Sequence, residues 1–271
     1  MPWADEVKAI LECFYGGQGI GRAIVKVISG EVNPSGHMPV SVPAFREQII
    51  SDENFAEQTE QVTYREGMFM GYRGYETKKI PVQFPFGFGL SYTEFKIEFK
   101  GIETSEKELT VEMKVTNIGD TYAGKEVVQI YASLPQTEVK KEYRRLVGYA
   151  KTKLLQPGEA ETLKITVGQK ELAYFSEEKH QWIVEKGTYG IWTGNSSVSL
   201  EYSSTVKVEQ SVSLEDTCVL ENTAEIEEEL WKTSNAEKQR QITAIVLFLH
   251  RIQKRKKYTD QLMPRNRWQK I

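Results

Sequence analysis

The stretch FPFGFGLSYTEF, Phe84 to Phe95, decides how this chain is read. Four phenylalanines, a tyrosine, two glycines and a proline fall within it. That density of rings suits three things: a sugar-binding platform, a hinge between domains, or a packed core corner. The pattern on its two sides helps to choose among them.

On the C-terminal side the period is two. Leu109, Val111, Met113 and Val115 alternate with Thr110, Glu112 and Lys114. Leu163, Ile165 and Val167 alternate with Lys164 and Thr166, and Val198, Leu200 and Tyr202 repeat the pattern. Each run predicts a strand with one face in a core and one in water. Further strands are expected at 124–134, 143–152 and 181–184. Turn signals separate them: TNIGD at 116–120, QPGEA at 156–160, EKGTYG at 185–190 and TGNSS at 193–197. About seven short strands with Gly and Pro turns in roughly 110 residues predict an antiparallel β-sandwich.

On the N-terminal side the signals are mixed. Val7, Ile10, Leu11 and Phe14 form a helical stripe over 4–15. A second helix is expected to run to about Ser29, with Ile20, Ala23, Ile24, Val27 and Ile28 facing inward. NPSG, Asn33 to Gly36, is a turn by composition, and MPVSVP after it reads as a short strand closed by Pro43. Helix, turn and strand are α/β grammar, but residues 1 to 90 hold too few repeats for a parallel layered sheet. The chain reads as starting in the middle of a domain. After about Ser204 the sequence turns polar and acidic, and 224–257 is expected to form one helix, acidic first and basic last, as the helix macrodipole favours.

Composition narrows the function classes. The hydrophobic fraction is 39%, enough for a core, and the net charge of −3 gives no sign of nucleic-acid binding. Cys13 and Cys218 are too few for a disulfide framework or a zinc site, and His37, His180 and His250 have no ligand spacing. No metal or cofactor is expected. The opening MPWADEVKAILECF lacks the parts of a secretory signal, and the longest apolar run, Ile242 to Leu249, is far short of the roughly 20 residues that span a bilayer. A cytoplasmic protein without a membrane span is the expectation.

The individual motifs are weak as chemistry. GGQGIG, Gly16 to Gly21, departs from the dinucleotide fingerprint because Arg22 stands three places after Gly19 and a helix precedes it. It reads as a turn between helices. Asp52, Glu53 and Glu66 are candidate carboxylates by position only, with nothing in the sequence to pair them, and no catalytic residue is assigned. VTYREGMFMGYRGYE, Val62 to Glu76, interleaves tyrosines with arginines. Such a mix holds either a hydroxylated ligand or an interdomain corner with guanidinium on ring, and the second reading is preferred.

Taken in order, ILECFYGGQGIGRAIVKVISGEVNPSGHMPVSVP, YREGMFMGYRGYE and FPFGFGLSYTEF resemble the closing part of glycoside hydrolase family 3, which includes many β-glucosidases. VKVTNIGDTYAGKEVVQIYAS, RRLVGYAKTKLLQPGEAETLKITV and WIVEKGTYGIWTGNSS resemble that family's fibronectin type III-like domain. The likeness covers about residues 3 to 203. It implies that Phe84–Phe95 ends an α/β sandwich domain as a buried corner, with Gly87 and Gly89 relaxing the backbone and Pro85 fixing a turn. It also implies a parent enzyme with a (β/α)8 barrel bearing an aspartate nucleophile, and a glutamate acid/base in the second domain upstream of the matching part. Neither motif is found in this chain, and residues 1 to 90 are too few for a barrel of about 250.

The expected architecture is thus α+β and multidomain: an incomplete α/β sandwich remnant at 1–91, an immunoglobulin-like (fibronectin III-like) β-sandwich at 92–204, and a linker and helical tail at 205–271. The expected partner is the remainder of a family 3 hydrolase or its catalytic barrel. Two other readings stand beside it. One is a stand-alone module binding an oligosaccharide or a protein, which would show Trp182 and Trp192 as an exposed coplanar pair. The other is a truncated or fused reading frame, which would leave the apolar faces of 7–28 bare.

Overall fold

A computed structural model describes residues 3–52 and 64–214. Helices and strands are numbered in chain order. Seven strands make two antiparallel sheets. β1 (Phe95–Thr104), β2 (Glu108–Asn117) and β5 (Ala160–Gly168) lie in the order β1-β2-β5. β3 (Val127–Ser133), β4 (Arg145–Lys151), β8 (Gly187–Gly194) and β9 (Leu200–Val208) lie in the order β4-β3-β8-β9. A small third sheet joins β6 (Tyr174–Ser176), β7 (Gln181–Val184) and β10 (Val212–Leu214) in the order β10-β7-β6.

The period-two runs build the core. Leu109, Val111, Met113 and Val115 are buried on β2, and Leu163, Ile165 and Val167 on β5. The register sets Leu109 opposite Val167, Val111 opposite Ile165 and Met113 opposite Leu163, so apolar side chains meet across strands on one face. Val128, Ile130 and Ala132 of β3 and Tyr189 and Ile191 of β8 close the same cluster from the other sheet. Asn117 stabilises the TNIGD turn from inside. Its amide donates to the carbonyls of Tyr122 (2.9 Å) and Leu155 (3.0 Å), and its side-chain oxygen accepts from Thr93 Oγ1 (2.6 Å) and the Gly119 N–H (3.1 Å).

Two sequence expectations fail here. The segment 187–194, bounded by what reads as turns, is the strand β8, hydrogen-bonded to β3 and β9 in the middle of its sheet. Its glycines hide the alternation. Gly190 leaves space beside Ser133 and Trp192 that a side chain would fill, while Tyr189, Ile191 and Thr193 turn inward. β9 also runs on to Val208, past the expected edge at 204.

The helix expected over 4–15 is absent. A single 3-10 turn, Ala4–Glu6, is followed by irregular chain, and Val7, Ile10, Leu11 and Phe14 are exposed. An amphipathic stripe of that length gains most of its stability by packing, and nothing within the described residues covers it. The second helix forms as α1 (Ile20–Ile28), entered from a 3-10 turn at Gly17–Gly19. Ile20, Ile24 and Val27 are half-buried on it, whereas Ala23 and Ile28 face outward rather than inward. Another helix, α2 (Gly71–Lys78), forms within the Tyr/Arg-rich motif, and α3 (Gln169–Leu172) is a single turn. The MPVSVP strand reduces to one bridge, Val42 with Phe84. The expected helix at 224–257 lies outside the described residues.

Candidate functional site

β3 is buried on both faces. Its inward residues feed the sandwich core, and its outward pair, Gln129 and Tyr131, is 4% and 0% exposed. The cover on that outer face is formed by residues within 33–52 and 64–92, and a series of polar contacts lies in the seam beneath it.

The aromatic corner forms the cover. Met38–Val42 runs beside Phe84–Phe88, with Met38 N–H on Phe88 O (2.7 Å), Gly87 N–H on Met38 O (2.7 Å) and Val42 N–H on Phe84 O (2.8 Å). Pro85 and Phe88 close a turn through Phe88 N–H on Pro85 O (3.1 Å). Gly87 is its third residue, at φ +82°, a value that suits glycine. A Cβ at Gly87 would also stand 2.5 Å from the Gln129 amide, and one at Gly89 would stand 2.5 Å from Gly36 O. The glycines therefore serve close approach as well as turning. Phe86 stacks on Tyr72 (4.7 Å between centroids), Tyr72 meets Tyr131 edge-on (5.9 Å), and Phe84 tilts against Phe88 (5.5 Å). The rings pack against one another, as a corner and not a platform; only Leu90 and Tyr92 of the stretch stand well exposed among its large apolar side chains.

Three polar clusters fasten the cover. Arg144, just before β4, donates from Nε (3.2 Å) and Nη2 (3.0 Å) to Glu76 Oε2 of α2 and from Nη2 to Ser197 O (3.3 Å), and lies 5.3 Å from the Trp192 ring. The Glu76 carboxyl is shifted above its ordinary range by burial, with Ser197 and Arg144 pulling the other way. Tyr72 Oη accepts the Leu146 N–H (2.7 Å), and the Tyr131 hydroxyl, buried and held strongly in its neutral form, donates to Gln129 Oε1 (2.6 Å). At the far end Asn33 donates to Ala123 O (3.0 Å) and accepts from Ser91 Oγ (3.0 Å) and the Tyr92 N–H (2.8 Å). Between these, His37 Nε2 sits 3.0 Å from Glu126 Oε1.

Among the described residues nothing covers the other side of these segments. A cavity of about 430 Å³ opens there, its walls including Ile49, Ile50, Met70, Tyr72, Tyr75 and Phe86. Val40, Phe45 and Met70 are about half exposed on the same segments.

The three candidate carboxylates do not come together. Asp52 is partly buried and paired with Arg46 (3.2 Å), Glu66 lines the open cavity, and Glu53 lies outside the described residues. Trp182 and Trp192 make no common platform. Trp182 sits on β7, packed on the core and edge-on to Phe175 (5.5 Å), whereas Trp192 sits on β8 in the seam beside Arg144. The clusters around Glu76, Asn33 and His37 are not visible in the sequence. Their partners are 68 residues away for Glu76 and 90 for Asn33, beyond any spacing rule. Among the described residues no helix is long and apolar enough to cross a membrane.

A sandwich of seven strands, covered on one outer face by an aromatic corner, is the arrangement that the comparisons with known proteins place. Residues 126–197 match the fibronectin type III-like domain, and residues 1–92 match the glycosyl hydrolase family 3 C-terminal domain. The chain belongs to glycoside hydrolase family 3 and corresponds to the C-terminal portion of its β-glucosidases. It is 39% identical to thermostable β-glucosidase B of Acetivibrio thermocellus over 220 residues, covering 79% of this chain and 29% of that protein. It is 42% identical to β-glucosidase B of Emericella nidulans over 209 residues, covering 72% of this chain and 24% of that one. The crystal structure of a Kluyveromyces marxianus β-glucosidase in complex with glucose superposes with a TM-score of 0.75 at 36% identity, over 79% of this chain and 26% of that one. The chain thus spans less than a third of the length of these relatives.

Proposed function

We propose that this chain is a structural portion of a β-glucosidase-like hydrolase, seated against the remainder of a family 3 enzyme, and that it is inert by itself. The parent reaction is retaining hydrolysis of a β-glucoside through a covalent glycosyl-enzyme, which takes two facing carboxylates. The chain's part is to carry one face of the catalytic domains on a rigid sandwich. The observation that carries this reading is the two-sidedness of the described residues within 33–52 and 64–92. One side is locked to the sandwich by the Glu76, Asn33 and His37 clusters, while the other presents apolar side chains around an open cavity. Apolar surface of that kind marks a face awaiting a partner. The bare stripe of residues 7–14 supports the same reading.

The test is turnover of aryl β-glucosides by the purified chain, alone and mixed with the separately expressed N-terminal portion of a family 3 β-glucosidase. The expected result is no turnover by the chain alone and recovery in the mixture. Turnover by the chain alone refutes the reading and directs attention to Glu66→Ala and Asp52→Ala. No recovery, with solubility restored by deleting residues 1–88, favours a truncated frame instead.

A further inference from the structure

The two ring nitrogens of His37 both face acceptors. Nε2 lies 3.0 Å from Glu126 Oε1, and Nδ1 lies 2.6 Å from Gly87 O. The side chains of His37 and Glu126 are only 13% and 10% exposed. A neutral imidazole carries one N–H and one bare lone pair, so it would press that lone pair against one of the two oxygens. Only the doubly protonated ring donates to both. Glu126 is held in place for this role: its Oε1 also accepts the Val127 N–H (2.7 Å), and its own N–H donates to Thr152 Oγ1 (3.0 Å). His37 belongs to the cover and Glu126 to the sandwich, so the contact spans the seam.

We propose that His37 and Glu126 form a proton-operated clamp that fastens the chain around His37, residues 33–42, to the sandwich in mildly acidic solution and slackens as pH rises. The charged groups around it come from four places. Lys151 of β4 donates to Ser35 O (2.6 Å) and disfavours a charged ring. The carboxyl of Glu201 of β9 is shifted above its ordinary range by burial and by the charge of Glu126. Lys125, before β3, and Glu94, before β1, line with the pair a cavity of about 380 Å³ that gives protons a route in. Burial by itself lowers the proton affinity of His37, but the bonds to Glu126 and Gly87 outweigh it and the balance lies above 6.5. A group with raised folded proton affinity stabilises fully below its unfolded value, and the stabilisation is lost as pH rises through its folded value. The clamp therefore weakens on the alkaline side of 6.5.

The test uses the full chain with His180→Gln and His250→Gln, which leaves His37 as its one imidazole. Its ring protons are followed by NMR through the neutral range. The expected midpoint lies above 6.5 and falls below it in the further variant Glu126→Gln. Limited proteolysis within residues 33–42, with the cut sites identified and the rate corrected for the protease's own pH profile, should accelerate above the midpoint, and His37→Gln should abolish that dependence. A His37 midpoint at or below 6.5 overturns the clamp, and so does a proteolysis profile that His37→Gln leaves unchanged. Should Glu126→Gln fail to fold, the titration of the Glu126-bearing chain still decides.

Discussion

Replacing Arg144 by methionine tests the seam directly. The side chains of Arg144 and Glu76 are 12% and 10% exposed, so the pair is not a surface ion pair worth about 0–1 kcal/mol. Methionine fills much of the volume beside Trp192 but takes both N–H donors from Glu76 Oε2. Removing one partner of a buried pair costs about 3–5 kcal/mol. A second route gives a similar figure. The stranded carboxylate can escape its charge by taking a proton. From an ordinary value of 4.5 that costs roughly 3.4 kcal/mol at pH 7 and about 0.7 kcal/mol at pH 5, at about 1.36 kcal/mol per unit. The sign follows from the upward shift of Glu76: its protonated form is the one that burial favours, so acid relieves the strain and neutral pH imposes it. The assay is urea unfolding by tryptophan fluorescence, with Arg144→Met compared to the parent chain at pH 7 and pH 5. Titration of His37 contributes to both proteins and cancels in the difference. A loss of about 3–5 kcal/mol at pH 7, shrinking by roughly 2–3 kcal/mol at pH 5, is expected. Recovery of most of it is expected when Glu76 becomes methionine as well. A loss below about 1 kcal/mol at pH 7, or one equal at both pH values, would refute the reasoning.

Gly87→Ala should destabilise the chain by at least about 1–3 kcal/mol, because alanine at φ +82° is strained and its Cβ meets the Gln129 amide; a chemical-denaturation midpoint unchanged from the parent would contradict this. Asn33→Ala removes three hydrogen bonds that tie the start of the cover to both Ala123 and the Ser91–Tyr92 turn, with an expected loss of about 1–3 kcal/mol. Hydrogen exchange should locate that loss at the Ser91–Tyr92 turn and leave β2 protected, since β2 lies in the sandwich core.

Much of the sandwich was legible along the chain. β2 and β5 announce themselves because a strand with one wet face must alternate, and the alternation of 109–115 and 163–167 survives into the register that pairs them. The turns at 116–120 and 156–160 were legible through Asn, Gly and Pro. β8 was not, because its glycines remove the very side chains that periodicity counts, and its place in the sheet comes from the neighbours on either side. The stripe at 7–14 shows the reverse failure. There the periodicity is real, but a helix draws its stability from what it packs against, and the described residues offer it nothing.

By its order of residues alone, the chain determined an antiparallel β-sandwich, since local alternation and turn chemistry act over a few residues; its fibronectin III-like character and the buried aromatic corner before it were implied by the resemblance to glycoside hydrolase family 3. Tertiary structure alone decided the seam. Glu76 meets Arg144 and Asn33 meets Ala123 only because a folded sheet presents its outer face to a segment far away in sequence. The same holds for His37, whose two acceptors come from separate parts of the fold, and the charge on its ring depends on both being there.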